Sequence, residues 1–215
     1  MSRLHPSASW PTLTRILEEG FSRPRTKINR HREWGLLSAY LKSPKQVASF
    51  CNSSSAVAAQ ICKAAHVDSK CHRVIELGPG SGAITQKLLH SMPNNAQLLA
   101  IEKTQALADK LLTQRDPRVR VIVDDASQLV KHRRSAGWEH CDAVVSGIPF
   151  SYLAPETASR IVTQVHEALR VGGKFVAYQL HADVSHYANP VFGPGEVVWE
   201  WRNMPPLRIF TWTKR

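Results

Sequence analysis

The chain has little acid, few cysteines and no long apolar run. Its 17 Asp and Glu stand against 28 Lys and Arg, leaving a formal net charge of +11 over 215 residues. That surplus excludes a partner of strongly positive potential and favours an anionic one, either nucleic acid or an acidic membrane surface. Nowhere do apolar residues run unbroken for the roughly 18 positions of a membrane-spanning helix. Met1-Ser2-Arg3-Leu4-His5-Pro6 opens without an apolar segment, so no signal peptide is expected. The four cysteines, Cys51, Cys62, Cys71 and Cys141, are dispersed and show no Cys-x-x-Cys spacing. This spacing favours buried free thiols in a reducing cytoplasm. The ten histidines show no metal-ligand spacing, so no metal is expected. Internal repeats and low-complexity segments are absent.

What is present centres on one stretch, Val74-Ile75-Glu76-Leu77-Gly78-Pro79-Gly80-Ser81-Gly82. A β-branched run meets an acid and then three alternating glycines. Ala83-Ile84-Thr85-Gln86-Lys87-Leu88-Leu89 follows with helical patterning. The arrangement predicts a strand, a tight turn and a helix, with the turn stripped of side chains. Glycine permits positive φ and close approach of a ligand to the backbone. The helix start adds unpaired N–H groups that suit a carboxylate or phosphate. A dinucleotide fingerprint places its third glycine one residue later. Here an acid also precedes the turn (Glu76), and another, Glu102, ends the next apolar run, where it can hold a ribose diol.

From about residue 73 the pattern alternates. Strands are predicted at 73–77, 97–102, 119–123, 142–146 and 173–180, and helices at 82–91, 104–114 and 155–170. Gly172-Gly173 reads as the turn after the last of these helices. Such alternation implies an α/β fold with a parallel sheet covered on both faces. The tail, Glu196 to Trp201 and Leu207 to Trp212 around Pro205-Pro206, reads as a terminal antiparallel strand pair.

The first 70 residues differ. Trp10, Leu13, Ile16, Leu17 and Phe21 recur at helical spacing, and a basic connector (Arg23, Arg25, Lys27, Arg30, Arg32) follows. A second amphipathic segment holds Trp34, Leu37, Tyr40 and Leu41, and a third helix is expected from about Ser54 to Ala65. Residues 1–45 are therefore assigned to an amphipathic, basic helical extension and residues 46–215 to the α/β domain. Such helices can pack over a core or lie in a membrane interface, and both readings are open.

Glu-x-Gly-x-Gly-x-Gly followed by a strand ending in Glu resembles motifs I and II of class I S-adenosylmethionine-dependent methyltransferases. Val119 to Val123 with Asp124-Asp125-Ala126 is similar to that family's third strand and its adenine-facing Asp-Ala pair. Cys141 to Phe150 is similar to its fourth strand and motif IV. The resemblance implies a Rossmann-like, seven-stranded, mostly parallel sheet and S-adenosylmethionine as methyl donor. It implies that Gly78, Gly80 and Gly82 approach the methionine half. Glu102, with Lys103 beside it, takes the ribose hydroxyls, and Asp125 with Ala126 takes the adenine edge. Glu76, Ser146, Ser53 and Tyr40 complete the implied cofactor set, Tyr40 closing over the cofactor.

For the acceptor, motif IV is Ser146-Gly147-Ile148-Pro149-Phe150. It resembles the Asn-Ile-Pro-aromatic motif of ribosomal RNA adenine dimethyltransferases, except that glycine stands at the Asn position. Gly147 offers no side-chain acceptor to an adenine amino group. Ser-Gly-(Leu/Ile)-Pro is instead similar to soluble bacterial phospholipid N-methyltransferases. Leu41-Lys42-Ser43-Pro44 through Ser53-Ser54 and Trp201-Arg202-Asn203-Met204-Pro205-Pro206 resemble the same family, with Asn52 and Ser55 departing from its usual Pro and Arg. The implied reaction is N-methylation of an amine-bearing membrane lipid: phosphatidylethanolamine, with ornithine lipid as the alternative. The implied place is the inner, cytoplasmic face of an anionic membrane, without nucleic acid. Candidate catalytic residues are Ser146, Gly147, Pro149, Phe150, Tyr152 and His181. Phe150, Tyr152 and Tyr178 are candidate cage aromatics, against the alternative that each simply packs in the core. Lys131, Arg133 and Arg134 form a second basic cluster, expected on a solvated face. An RNA adenine methyltransferase and a non-catalytic binding protein remain the competing readings.

Overall fold

The computed structural model describes residues 55–67, 71–113, 115–203 and 205–215. The amphipathic segments before residue 55, Tyr40, Ser53, Cys51 and the boundary at 45/46 lie outside the described residues. So does Met204.

The described chain runs α1 (Ser55–Ala64), β1 (Arg73–Leu77), α2 (Ala83–Ser91), β2 (Gln97–Glu102), α3 (Gln105–Leu112) and β3 (Val119–Val123). A 3-10 turn at Ala126–Gln128 leads into α4 (Leu129–Ser135) and β4 (Cys141–Ser146). A second 3-10 turn, Phe150–Tyr152, precedes α5 (Pro155–Ala168), β5 (Leu169–Gln179), α6 (Asp183–Phe192), β6 (Glu196–Glu200) and β7 (Leu207–Thr213). The strands form one seven-stranded sheet in the order β3-β2-β1-β4-β5-β7-β6. The pairs from β3 to β5 are parallel, and β7 lies antiparallel between β5 and β6.

Both faces of this sheet are covered, which is why its central strands read as near-continuous apolar runs. Ile75, Leu77, Leu99, Val144, Phe175 and Phe210 face a core completed by α4, α5 and α6. Val74, Leu98, Ala143, Val145, Val176 and Ile209 face the opposite core, completed by α1 and α2. The helix expected from about Ser54 is α1, which buries Val57, Ala58, Ile61 and Cys62. Cys62, Cys71 and Cys141 are buried free thiols.

Three details depart from the sequence reading. Gly172 and Gly173 do not form a turn between helix and strand. The helix ends at Ala168, β5 starts at once, and the glycines lie inside it. The pairing with β4 jumps there, from Cys141↔Leu169 to Ala143↔Lys174, and Gly172 has φ 78°. The pair makes a bulge, and a Cβ on Gly173 would stand 2.9 Å from the Arg170 carbonyl. Second, α4 and α6 were not foreseen; α4 is short, and α6 carries Pro190 within it. Third, Arg133 does not belong to a solvated face. It is buried and donates from Nη1 to the Trp138 carbonyl at 2.9 Å. Lys131 and Arg134 are exposed and paired with Asp124 and Glu167.

No helix among the described residues is long and apolar enough to cross a membrane.

Candidate functional site

Strand order changes direction between β1 and β4, so the connections leaving these two strands part to opposite sides. The crevice at the carboxyl ends of strands at such a point is where open α/β sheets bind ligands. Gly78 follows β1 there and Gly147 follows β4.

The first half of the crevice is backbone. Gly78, Gly80 and Gly82 have φ of 67°, 59° and 86°, the region that disfavours any side chain. A Cβ on Gly78 would come 3.1 Å from Cγ1 of Ile148, whereas at Gly80 it would meet nothing within 4 Å. Gly78 is thus fixed by crowding and Gly80 by an open face that a ligand can approach. The Gly80 N–H donates to Oε2 of Glu102 at 3.2 Å, and the Thr104 N–H donates to Oε1 at 2.9 Å. These bonds lock the acid at the end of β2 against the turn, with carboxylate lone pairs to spare. Lys103 points to Asp125 and pairs with its Oδ2 at 2.8 Å. The other Asp125 oxygen accepts the Ser127 N–H, capping the 3-10 turn that holds Ala126.

Glu76 lies beneath the turn with no solvent exposure. Its Oε2 accepts the Thr85 hydroxyl at 2.7 Å, and its Oε1 has no partner among the described residues. Burial pushes its carboxyl up to about 7, against the Thr85 bond and with help from the nearby Glu102 charge. A buried carboxylate oxygen left unpaired is costly, and a cationic donor is what offsets that cost.

The second half is made of side chains. A groove is lined by Gly147, Pro149, Ser151, Tyr152, Tyr178, Gln179, Leu180 and His181. Tyr178 and Gln179 end β5; the others flank β4 and β5. A Cβ on Gly147 would fall on the Tyr178 hydroxyl and 3.0 Å from the Gly78 carbonyl. The place of a motif IV side chain is therefore filled by a tyrosine hydroxyl from the next strand. Gln179 Nε2 donates to the Ile148 carbonyl at 2.6 Å and ties motif IV to β5. The Gly147 N–H donates to the Leu77 carbonyl at 2.9 Å, which joins the two halves.

The structure sorts the sequence-predicted acceptor residues. Gly147, Pro149, Tyr152 and His181 line the groove together. Ser146 is fully buried, and its Oγ accepts the Ile148 N–H at 3.3 Å, shaping the turn. Phe150 does not reach the groove: it is 1% exposed and packs in the core near Tyr187. The other two candidate aromatics, Tyr152 and Tyr178, line the groove, Tyr178 with its ring largely buried. Ser151, Gln179 and Leu180 were not singled out from the sequence. For Gln179 a signal existed, since it is the first polar residue after Phe175-Val176-Ala177-Tyr178, at a strand's carboxyl end.

Residues 74–173 match the family model described as methyltransferase domain. The N-methyltransferase NodS of Bradyrhizobium japonicum, solved with S-adenosyl-L-homocysteine, superposes with a TM-score of 0.65. It is 14% identical, over 85% of this chain and 98% of that one. This is the fold of class I S-adenosylmethionine-dependent methyltransferases. Among curated proteins, 82 residues are 38% identical to the probable ribosomal RNA small subunit methyltransferase A of Pyrobaculum islandicum. That match covers 38% of this chain and 31% of the other, so the chain spans about a third of such relatives. A longer match, 26% identical over 141 residues, is to the ornithine lipid N-methyltransferase of Singulisphaera acidiphila. It covers 64% of this chain and 73% of that one.

The donor half of this methyltransferase fold fits S-adenosylmethionine. Gly80 presents an open backbone face, Glu102 a carboxylate for hydroxyls, and Glu76 an unpaired oxygen suited to an ammonium group. No group of three or more His, Cys, Asp or Glu that could hold a metal occurs among the described residues.

Proposed function

We propose that the protein N-methylates the amine head group of a membrane lipid at the inner face of a membrane. The observation that carries this reading is the Tyr178 hydroxyl over Gly147. In the ribosomal RNA adenine dimethyltransferases that motif IV resembles, an amide side chain stands at this position to grip a planar exocyclic amine. Here that space is occupied by a tyrosine hydroxyl, in a groove also lined by Pro149, Leu180 and the ring of Tyr152. One hydroxyl can orient a small, tetrahedral alkylamine, which has one lone pair to direct and no ring edge to read.

S-adenosylmethionine, when bound, supplies a methyl group already activated on a sulfonium. The chain's own work is to orient the amine, exclude water and accept a proton. Pro149 and Leu180 form apolar walls that, beside a bound sulfonium, disfavour an ammonium and favour the free amine, while Tyr152 and Tyr178 bring aromatic rings to the groove. His181 and Tyr152 are exposed at the groove and can pass the released proton to solvent. After one methylation the same rings suit a more substituted cation. Glu76, Gly80, Glu102 and Asp125 hold the cofactor. The basic segments before residue 55 and the net charge of +11 supply attraction to an anionic membrane.

Two lipids present the required primary amine. Phosphatidylethanolamine follows from the motif IV likeness; ornithine lipid is favoured by the longer match to the Singulisphaera acidiphila protein. The test supplies labelled S-adenosylmethionine to the full chain with vesicles of either lipid, or with ribosomal RNA. Label in one lipid is the expected result and names the acceptor; label in RNA alone overturns the proposal.

A further inference from the structure

The sheet ends in an exposed aromatic edge that the methyl-transfer site does not use. In β6, Val197, Val198 and Trp199 are 48%, 44% and 40% exposed, and Trp201 just beyond is 66% exposed. Trp199 and Trp201 stack with centroids 5.0 Å apart, and the Arg208 guanidinium lies 4.4 Å over the Trp199 ring. Soluble proteins avoid this combination on an edge strand, because unpaired backbone and apolar side chains together invite association.

The position of this edge ties it to the groove. Trp199 pairs with Arg208, and Arg208 pairs with Gln179, which lines the groove. Directly paired residues share a face, so Gln179, Arg208 and Trp199 form one row across three strands. Two strand spacings, about 10 Å, separate Trp199 from Gln179. Since β5 and β6 run in the same direction, the aromatic end of β6 and the mouth of the groove open on the same edge of the sheet.

We propose that Trp199, Trp201 and Arg208 form a bilayer-docking edge that seats the groove mouth at the head-group level of an anionic membrane. The inference rests on the lipid-amine reading for its purpose. Tryptophan with arginine alongside suits the membrane interface, where a flat amphipathic ring lies among head groups and the guanidinium meets phosphate. A second copy of this chain is the poorer occupant, because two molecules of charge +11 repel whereas an anionic surface attracts. Glu200 does not spoil the match: Arg202 neutralises it through bonds of 2.7 and 2.8 Å.

The experiment compares the full chain with a Trp199→Ser/Trp201→Ser variant and, separately, Arg208→Gln. Each is floated with vesicles of two parts phosphatidylethanolamine to one part phosphatidylglycerol and assayed for methyl transfer to vesicle-borne and to short-chain, monomeric phosphatidylethanolamine. Both substitutions are at the surface, so folding is expected to survive, and a thermal melt checks it. The double variant should partition onto vesicles about tenfold less and lose vesicle-borne turnover in proportion, with turnover of the monomeric lipid kept. Arg208→Gln should give a smaller loss that disappears at high salt. Unchanged flotation of the double variant overturns the docking edge. So does a dimer, seen by sedimentation, that the double variant converts to monomer without loss of flotation. If no lipid form accepts methyl groups while flotation still depends on the tryptophans, docking stands and the acceptor reading alone fails.

Discussion

Around the β1–α2 turn the ligand-facing surface is backbone: three glycines at positive φ, with Gly80 bonded to Glu102. At the ends of β4 and β5 it is side chain: the Tyr178 hydroxyl over Gly147, and Gln179 bonded to Ile148 from 31 residues away. The two halves meet where the β1–β4 ladder ends, at the bond from the Gly147 N–H to the Leu77 carbonyl. A surface made of backbone must be written as a local run of permissive residues, so it appears as a motif. A surface made by packing can be written anywhere in the chain that the sheet brings together. The donor half is accordingly generic to the fold, and the acceptor half is where this protein becomes particular.

The largest test of that contrast is Gly147→Asn. The new Cβ falls on the Tyr178 hydroxyl, with the Gly78 carbonyl behind it, so both halves must move. Overpacking of this kind costs about 1–3 kcal/mol of stability, and displacing reacting groups by an ångström costs about 100-fold in rate. Methyl transfer should fall by at least that factor, with a lowered melting temperature. Near-normal activity would mean that the groove is not shaped by this contact.

Next in size is Glu76→Gln, which separates stability from function within the donor half. The folded-state pKa of Glu76, about 7, lies above the ordinary value of 4.5. Between those values the folded protein holds a proton that the unfolded chain has lost, so stability falls as pH rises from 4.5 to 7. The full loss is about 3 kcal/mol above pH 7 and vanishes below pH 4.5. Gln carries no charge to bury. The variant should be the more stable protein at pH 8 by up to about 3 kcal/mol, and no more stable at pH 4, in urea titrations at both pH values. It should also bind S-adenosylmethionine more weakly, because a cationic donor loses its charged acceptor. A variant equal to the parent in pH profile would show that Glu76 is ionised without cost.

Glu102→Ala is a smaller change. It removes the acceptor of the Gly80 and Thr104 N–H groups as well as the carboxylate offered to ligand hydroxyls. Charge-assisted bonds of this kind are worth about 1.5–3 kcal/mol, so the cofactor dissociation constant should rise about 10- to 100-fold in calorimetry. Unchanged affinity would place the ribose elsewhere.

Legibility in the sequence follows the same division. Strand and helix positions from Arg73 to Val123 were readable because each burial face imposes its own period on the chain. The glycine turn, Glu76, Glu102 and the final antiparallel pair were readable for the same local reason. Gly172-Gly173 misled because two adjacent glycines signal a break, and a bulge inside β5 is also a break. Arg133 misled because a charge in a basic run reads as solvated, and its bond to the Trp138 carbonyl is set by how α4 folds back. Phe150 was named with its motif, yet its ring turns into the core while the neighbouring Pro149 lines the groove. That Gly147 lacks a side chain was plain in the sequence. That Tyr178 stands in its place required the register of β4 against β5.

The smallest prediction, Tyr178→Phe, bears most closely on the acceptor half. The ring is buried and would stay packed, so only the hydroxyl is lost. One neutral hydrogen bond is worth about 1 kcal/mol, which predicts a fall of about fivefold in kcat/KM with cofactor affinity unchanged. A fall through stability alone would lower the melting temperature and disappear when rates are expressed per folded enzyme. The sharper measurement is a cycle with Gly147→Ala. In the parent the new methyl group strikes the hydroxyl; in Tyr178→Phe that atom is gone and only the ring edge remains, 2.8 Å from the added carbon. The two substitutions should therefore be less harmful together than their separate effects imply, with a coupling of about 1 kcal/mol. Strict additivity would mean that Gly147 is held by the Gly78 carbonyl behind it, and that Tyr178 contributes to the groove only as a wall.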